Sequence, residues 1–270
     1  MALRFDLYAA GVLAPGIDGL PALLDLCRRD ASPPAAATLP PLPSPQALPA
    51  NERRRASQVV RLTLACAEQA LCTSPYPADA LHMVFASDEG TGETCQQMLE
   101  ALATTRQVSP LLFHNSVHNA PSGYFSIAHQ NRRSASSISL GAESFASGLL
   151  CAASEATTTG EPVLLVAYDP VMTAPLAELL PVTQATACAW IIGAAAAPAA
   201  PIASFRISLH PAVGNEPPSP AWMPPAWSGN SSAQGLRALA LLAAPGPAHC
   251  ELRLGAQRLR IERLAGASSC

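Results

Sequence analysis

The feature that most constrains the fold is a strand of small residues that turns at a glycine directly into a helix. Residues 134–140 read Ser-Ala-Ser-Ser-Ile-Ser-Leu, Gly141 follows, and an amphipathic helix is predicted over about 143–158. The next segment, Pro162–Tyr168, is continuously apolar, which is typical of a parallel strand covered on both faces. Strand, helix and strand in succession predict an α/β layered architecture.

The remaining elements follow from apolar periodicity and from proline and glycine positions. In chain order we predict a strand at 2–14, a helix at about 19–28, a proline-rich surface connection at 31–49, one helix from Asn51 to about Leu71, a strand at 81–86, a helix at about 91–103, a strand pair at about 186–194 and 202–209, a proline-rich loop at 211–232, a helix at about 233–243 and a hairpin at about 249–262. We expect one domain over 1–270, with a core at 1–210, the loop at 211–232, and the terminal helix and hairpin at 233–270.

Composition and charge exclude several classes of function. A net charge of −3 without a basic stripe makes nucleic acid an unsuitable partner. Residues 1–8 alternate like a strand, unlike a signal peptide, and the alanine-rich run at 186–200 is too short to span a bilayer. The eight cysteines lack C-x-x-C spacing, which favours reduced thiols. We therefore expect a cytoplasmic protein without stable membrane insertion.

The low charged fraction of 13%, beside 49% hydrophobic residues, leaves two interpretations open. Either the composition simply reflects abundant alanine, or a partner covers much of the surface.

No sequence motif identifies a particular reaction. G-x-S-x-G and G-x-G-x-x-G are both absent from the sequence. His114 and His118 are four residues apart, but no third metal ligand accompanies them, so we expect neither a metal nor a cofactor. Gly90-Thr91-Gly92 resembles a phosphate loop only faintly, and Thr91 as a helix N-cap is the preferred interpretation.

Several motifs together indicate a family. Ser116-Val-His-Asn-Ala120, the following Pro121-Ser-Gly-Tyr-Phe-Ser-Ile127 and the turn Gly141-Ala-Glu-Ser-Phe145 resemble the short β-ketoacyl-synthase-like chain length factors of aryl polyene and xanthomonadin-type pigment clusters. Further matches in the family's order are Arg53–Arg55, Val84–Ser87 with Gly90 and Glu93, Ser109-Pro110, and Val163–Val166 followed by Asp169. The resemblance covers about residues 1–245. It implies a thiolase-like, ketosynthase-type layered fold, truncated to roughly the N-terminal half with a degenerate C-terminal extension.

The resemblance also implies that the chain is not catalytic. A working ketosynthase has a cysteine nucleophile at the turn, where this chain has Ala142 or Glu143. Neither His210 nor His249 has the glycine-flanked setting of the family's two catalytic histidines. Cys151 lies about 12 Å further along the helix, too far to substitute, and we interpret it as a structural thiol.

Glu143 has two interpretations that stay open. Its carboxylate either fills or polarises the vestigial pocket, or simply stabilises the helix N-terminus through the macrodipole.

Partners follow from the same resemblance. Thiolase-fold proteins dimerise through the strand before the turn, so 134–140 is the expected interface with an active ketosynthase, and acyl carrier protein would bind transiently through the complex. Phe113, Tyr124 and Phe125 are candidates for capping the partner's acyl tunnel, although each aromatic would also suit the chain's own core. The interface or tunnel candidates are Phe113, Ser116, His118, Asn119, Ser122, Tyr124, Phe125, Ser136, Ser137, Ile138 and Phe145.

The implied function is that of a chain length factor that shapes the acyl tunnel of a ketosynthase during polyene-type polyketide or fatty acid elongation. Two alternatives stay open. The chain is an active or partly active acyl-transferring enzyme, which would need a reactive cysteine, or it is a scaffold that binds acyl chains or carrier protein alone.

Overall fold

The computed structural model describes residues 2–180, 182–195, 199–214 and 218–265. The strands are β1 (Ala2–Ala14), β2 (Ile17–Asp18), β3 (His82–Ala86), β4 (Ala135–Ile138), β5 (Val163–Asp169), β6 (Thr186–Ala194), β7 (Ala203–Pro211), β8 (Ala248–Leu254) and β9 (Gln257–Arg263). The α-helices are α1 (Leu20–Arg28), α2 (Ala50–Arg55), α3 (Gln58–Leu71), α4 (Gly92–Thr104), α5 (Pro110–Asn115), α6 (Ala120–His129), α7 (Ser144–Thr159) and α8 (Ser231–Leu239). Short 3₁₀ turns lie at Ala78–Ala80, Leu176–Glu178, Pro225–Trp227 and Ala240–Ala243.

Within these residues the strands form one mixed sheet in the order β4-β3-β5-β6-β1-β7-β9-β8, with β2 paired to β1. The β4, β3 and β5 strands are parallel, and the other pairs are antiparallel. The two free edges of the sheet are therefore β4 and β8.

Helices cover both faces of the sheet. Alternate residues of β5 show this directly, because Val163 and Leu165 pack with α7 and α8, while Leu164 and Val166 pack with α3 and α6. The α1 helix joins α7 and α8 on the first face. All seven residues of β5 are buried, as its apolar run predicted. The chain thus forms the expected α/β/α layers.

The sheet curves strongly around α7. Ser139, just after β4, donates to the carbonyl of Asp88 at 3.0 Å, so this point lies beside the end of β3. Only four residues later, Glu143 accepts a hydrogen bond from Gly255 in the β8–β9 turn at 2.6 Å. Six strand intervals of about 4.8 Å separate β3 from β8 across a flat sheet. The two ends approach this closely only because the sheet bends.

Two glycines allow the helices to come close to the sheet. A Cβ on Gly11 of β1 would lie 2.1 Å from the Cys66 carbonyl oxygen of α3. A Cβ on Gly235 of α8 would lie 2.2 Å from Cys188 Sγ and 2.7 Å from the Phe145 ring. Both helix positions therefore depend on the absence of a side chain.

The single helix predicted from Asn51 to Leu71 is wrong, because the structure has two helices there. Ala56 is extended, with φ −60° and ψ 120°, and this ends α2. Ser57 then caps α3, and its hydroxyl accepts from the Val60 amide at 3.4 Å. The serine offers the backbone an N-cap in place of continued helix.

The prediction that the strands at 186–194 and 202–209 form a pair is also corrected. Both strands form, but β1 lies between β6 and β7, so they do not pair with each other. The β5 strand is parallel to β3 and antiparallel to β6.

The C-terminal elements belong to the core. The predicted hairpin is present as β8 and β9, and the predicted helix begins at Ser231 and continues as the 3₁₀ turn at Ala240–Ala243. Leu236 of α8 and Ile261 of β9 pack in the same cluster as Leu149 of α7. In the predicted loop at 211–232, Trp222 and Trp227 are buried, and residues 215–217 lie outside the described part.

None of the helices in the described residues is both long enough and apolar enough to cross a membrane.

Candidate functional site

The turn after β4 has the expected strand–turn–helix geometry. Gly141 is left-handed, with φ +58°. The Ser144 hydroxyl donates to the Gly141 carbonyl at 2.7 Å and accepts from the Leu140 amide at 2.8 Å. These bonds hold Ala142 at the exposed tip of the turn. The tip therefore presents a methyl group and no nucleophilic side-chain atom.

Glu143 occupies the N-cap position before α7, but its side chain does not cap the helix. One carboxylate oxygen accepts from the Gly255 amide at 2.6 Å, and the other lies 3.2 Å from Arg253 Nε. The carboxylate thus ties the turn to the β8–β9 hairpin. This is a contact that neither of the two sequence interpretations included.

The segment Ser116–Asn119 connects α5 to α6 and rests on the loop that follows β3. The Ser116 carbonyl accepts from the Thr91 hydroxyl at 2.8 Å. The His118 ring lies against Gly90, since a Cβ there would be 2.5 Å from Nδ1. Thr91 occupies the N-cap position of α4, but its hydroxyl bonds to Ser116 and caps nothing. His114 lies on α5 and His118 lies in the segment that follows it, so the two histidines do not share one helix face.

A buried carboxylate holds the end of β5. Asp169 has no exposed surface and accepts from the Asp88 amide at 3.0 Å. It also accepts from the amide and hydroxyl of Ser232 at 2.6 and 2.7 Å. Burial raises the pKa of Asp169, and the hydrogen bonds from Ser232 oppose that rise. Asp169 thereby joins β5, the loop after β3 and the start of α8.

Glu89 lies in the same loop, among like charges. Burial raises the pKa of its carboxyl to about 8, with further contributions from Asp169 and Asp88. Burial also raises the pKa of Asp88. A cluster of three or more histidine, cysteine or acidic residues suited to a metal does not occur in the part of the chain that the structure describes.

An exposed apolar groove of about 480 Å³ lies between α5 and α6. Its lining residues are Pro110, Phe113, His114, Val117, Asn119, Ala120, Gly123, Tyr124 and Ile127. Phe113 is 65% exposed, whereas Tyr124 is buried and forms the floor, and its hydroxyl has no hydrogen-bond partner among the described residues. Phe113, Val117 and Ile127 are all exposed along this groove, and an exposed apolar patch of this kind marks an interaction surface more often than a single exposed side chain does.

The two sheet edges differ in chemistry. Outward positions of β8 carry His249, Glu251 and Arg253, and charges of this kind discourage pairing with another strand. The β4 edge, Ala-Ser-Ser-Ile, carries no charge, and it leads into Leu140, which is 53% exposed. The β4 edge is therefore the better site for pairing with another chain.

The predicted candidates separate into three groups. Phe113, Asn119 and Tyr124 line the groove, and Ser136, Ser137 and Ile138 are half-buried on β4. Ser116 and His118 contact the loop after β3, as described above.

The third group is buried. Ser122, Phe125 and Phe145 are buried in the isolated chain, and both phenylalanines belong to its own core. Their side chains are therefore unavailable for contact with a partner.

Sequence reasoning missed other residues of the site. Val117 and Ile127 line the groove together with Ala120 and Gly123. These four positions are spaced three to four residues apart along α6 and the segment before it, and that spacing was the available signal. Ser232, the partner of Asp169, offered no signal, because 63 residues separate the two.

Comparison with known proteins identifies the family to which the chain belongs. The model of the N-terminal domain of β-ketoacyl synthases matches residues 28–223. No curated protein matches the chain. One similar solved structure is the ketosynthase ApeO in complex with its chain length factor ApeC from Xenorhabdus doucetiae, with a TM-score of 0.74 and 21% identity, covering 97% of this chain and 100% of the matched one.

Two further structures align over 98% of this chain and 100% of theirs, each with a TM-score of 0.74. They are the ishigamide ketosynthase/chain length factor, at 13% identity, and a type II polyketide synthase acyl-carrier protein in complex with its ketosynthase, at 12% identity. Similarity over nearly the whole chain includes the C-terminal hairpin, which lies beyond the part of the sequence that carries the resemblance. Because the family model spans well over half of the chain, this protein belongs to the β-ketoacyl synthase N-terminal domain family and has the thiolase-like, ketosynthase-type fold.

Proposed function

We propose that this chain is a non-catalytic chain length factor. It pairs in the cytoplasm with an active ketosynthase and shapes the acyl tunnel during polyene-type polyketide or fatty acid elongation on acyl carrier protein. The solved structures that resemble it include complexes of ketosynthases with chain length factors. The observation that carries the proposal is an uncharged, exposed sheet edge, β4, that leads into a turn with Ala142 at its tip.

The groove supports the tunnel-shaping part of the proposal. Its exposed lining, including Phe113, Val117 and Ile127, is apolar and suits a hydrocarbon chain or an apolar partner surface. We refer to β4, the groove and Ser116–Asn119 together as the partner-binding face. Covering this face removes apolar area from water and supplies partners to the free backbone groups of β4.

Co-expression with a catalytically complete ketosynthase encoded beside it tests the proposal. We expect a stable heterodimer on size-exclusion chromatography, and a product length that depends on this chain. A monomer that neither binds the ketosynthase nor alters product length would exclude the proposed function. Binding of carrier protein by the isolated chain, without the ketosynthase, would favour the scaffold alternative.

Gly123→Leu tests the groove directly. A Cβ at Gly123 meets no atom within 4 Å, so the larger side chain fits without strain and fills part of the groove. We expect the heterodimer to form and its products to shift towards shorter chains, measured by mass spectrometry of the released acyl groups.

The matched control is Gly123→Ala, which adds one methyl group and should stabilise α6 by about 0.5–1 kcal/mol without changing product length. An unchanged product distribution in Gly123→Leu would show that the groove does not contact the acyl chain.

Cysteine alkylation separates this proposal from an active enzyme. Burial raises the pKa of Cys27 and of Cys250 to about 12, and it also raises the pKa of Cys151, so thiolate is scarce at these positions near pH 7. We expect iodoacetamide to label exposed Cys72 slowly and no cysteine rapidly, as followed by peptide mass spectrometry. Rapid labelling of a single cysteine, with loss of activity in its alanine variant, would support the enzyme alternative.

A further inference from the structure

The function proposed above leaves one half-buried acid, Glu89, without a role. One carboxylate oxygen of Glu89 is buried and has no hydrogen-bond partner among the described residues. Besides burial, Asp169 on β5 and Asp88 in its own loop raise its pKa, and both are acids. His118, whose ring packs on the adjoining Gly90, forms no ion pair with Glu89 within the described residues. Salt bridges within the described ranges do not include Glu89. Ionised Glu89 would therefore add a third negative charge without a compensating cation.

The loop that contains Glu89 supports both parts of the partner-binding face. On one side Thr91 bonds to the Ser116 carbonyl at 2.8 Å, and the His118 ring packs on Gly90. On the other side the Asp88 carbonyl accepts from the Ser139 hydroxyl at 3.0 Å, next to β4. Any displacement of the loop thus moves both segments that would contact the ketosynthase.

We propose that Glu89 is a proton-sensitive support of the partner-binding face, and that its ionisation weakens association with the ketosynthase. The inference rests on the proposed function. Repulsion from Asp88 and Asp169 pushes the ionised loop outwards, and the contacts to Ser116 and Ser139 transmit that movement. The neutral acid is compatible with the packed loop, because it carries no charge to desolvate.

The direction of the pH effect follows from linkage. Glu89 titrates near 4.5 in the unfolded chain, and its pKa is raised to about 8 in the folded one. The folded state therefore binds more protons between these values, so its stability decreases as pH rises from about 4.5 to about 8 and is level above that. Covering the loop with a partner strengthens the desolvation of Glu89, so association should take up protons near pH 8.

The experiment measures the dissociation constant of the heterodimer from pH 6.5 to 9.5 for the native chain, Glu89→Gln and Glu93→Gln. We expect the native affinity to decrease with pH by about tenfold for each unit by which binding raises the pKa of Glu89. Glu89→Gln should abolish this pH dependence. Glu93→Gln is the control, because Glu93 lies in the first turn of α4 and, among the described residues, its carboxylate accepts only one hydrogen bond, from the Gln97 side chain at 3.4 Å.

Calorimetry in two buffers with different ionisation enthalpies adds a readout that needs only the native chain. Proton uptake on association at pH 8 supports the inference, and its absence overturns it even if Glu89→Gln folds poorly. Equal pH dependence in the native and Glu89→Gln chains also overturns the inference, while the heterodimer itself stands. Absence of binding at every pH contradicts the proposed function instead.

Discussion

Replacing Ser137 with proline is expected to weaken the heterodimer by about 10- to 100-fold while leaving the chain itself folded. The amides of Met83 and Ser87 bond to the carbonyls of Ser134 and Ile138 at 2.9 and 3.1 Å, so even-numbered residues of β4 point their backbone groups at β3. By the alternation of a strand, the Ser137 amide points away from β3, towards a partner. Proline removes that amide hydrogen and leaves an unpaired carbonyl in the interface.

Ser137→Ala is the matched control, since it keeps the amide and removes only the hydroxyl. We expect its affinity to equal that of the native chain in a titration followed by calorimetry. Circular dichroism and thermal melting of each isolated variant establish that the fold is retained. Native affinity in Ser137→Pro would mean that the partner does not pair with the β4 edge.

Asp169→Ala is expected to destabilise the chain by about 4 kcal/mol. The change removes the acceptor for the Asp88 amide and for the amide and hydroxyl of Ser232, all at 2.6–3.0 Å. Each buried donor left unpaired costs about 1–3 kcal/mol. In a chain of this size the melting temperature should decrease by about 10 °C, measured by differential scanning calorimetry.

Glu161→Ala is the control for that experiment. Its carboxylate has no hydrogen-bond or ion-pair partner within the described residues, so we expect a change within about 0.5 kcal/mol. Equal stability of Asp169→Ala and the native chain would show that other acceptors replace the carboxylate and that Asp169 does not fasten α8 to the sheet.

Local patterns predicted most of the elements. The continuous apolar run of β5 and the alternating large apolar residues of β1 predicted both strands correctly, because the spacing of apolar residues reflects which faces of a strand are buried. The helix break at Ser57 was missed, since an N-cap competes with continued helix through a single side-chain bond. The order of β6, β1 and β7 was missed because strand neighbours depend on contacts between distant residues.

For the candidate site, too, local features were predicted and contacts between distant residues were not. The turn at Gly141 between a strand and a helix was expected from adjacent residues, whereas the exposure of Ala142 was not predicted. The burial of Phe125 was left open and that of Phe145 was not expected, because an aromatic side chain suits a core and an interface equally well until the surrounding elements are placed. The raised pKa of Glu89 likewise depends on its nearness to Asp169, 80 residues further along the chain.

The sequence by itself determined the layered class, the family and the absence of a nucleophilic side chain at Ala142, since each is a property of residue type and short spacing. Tertiary structure alone decided which sheet edges are free, which aromatics are buried and what Glu143 binds. Its contact with Gly255 spans 112 residues, and no local pattern encodes a pair so distant. Such contacts form only when the sheet curves around α7 and brings its ends together.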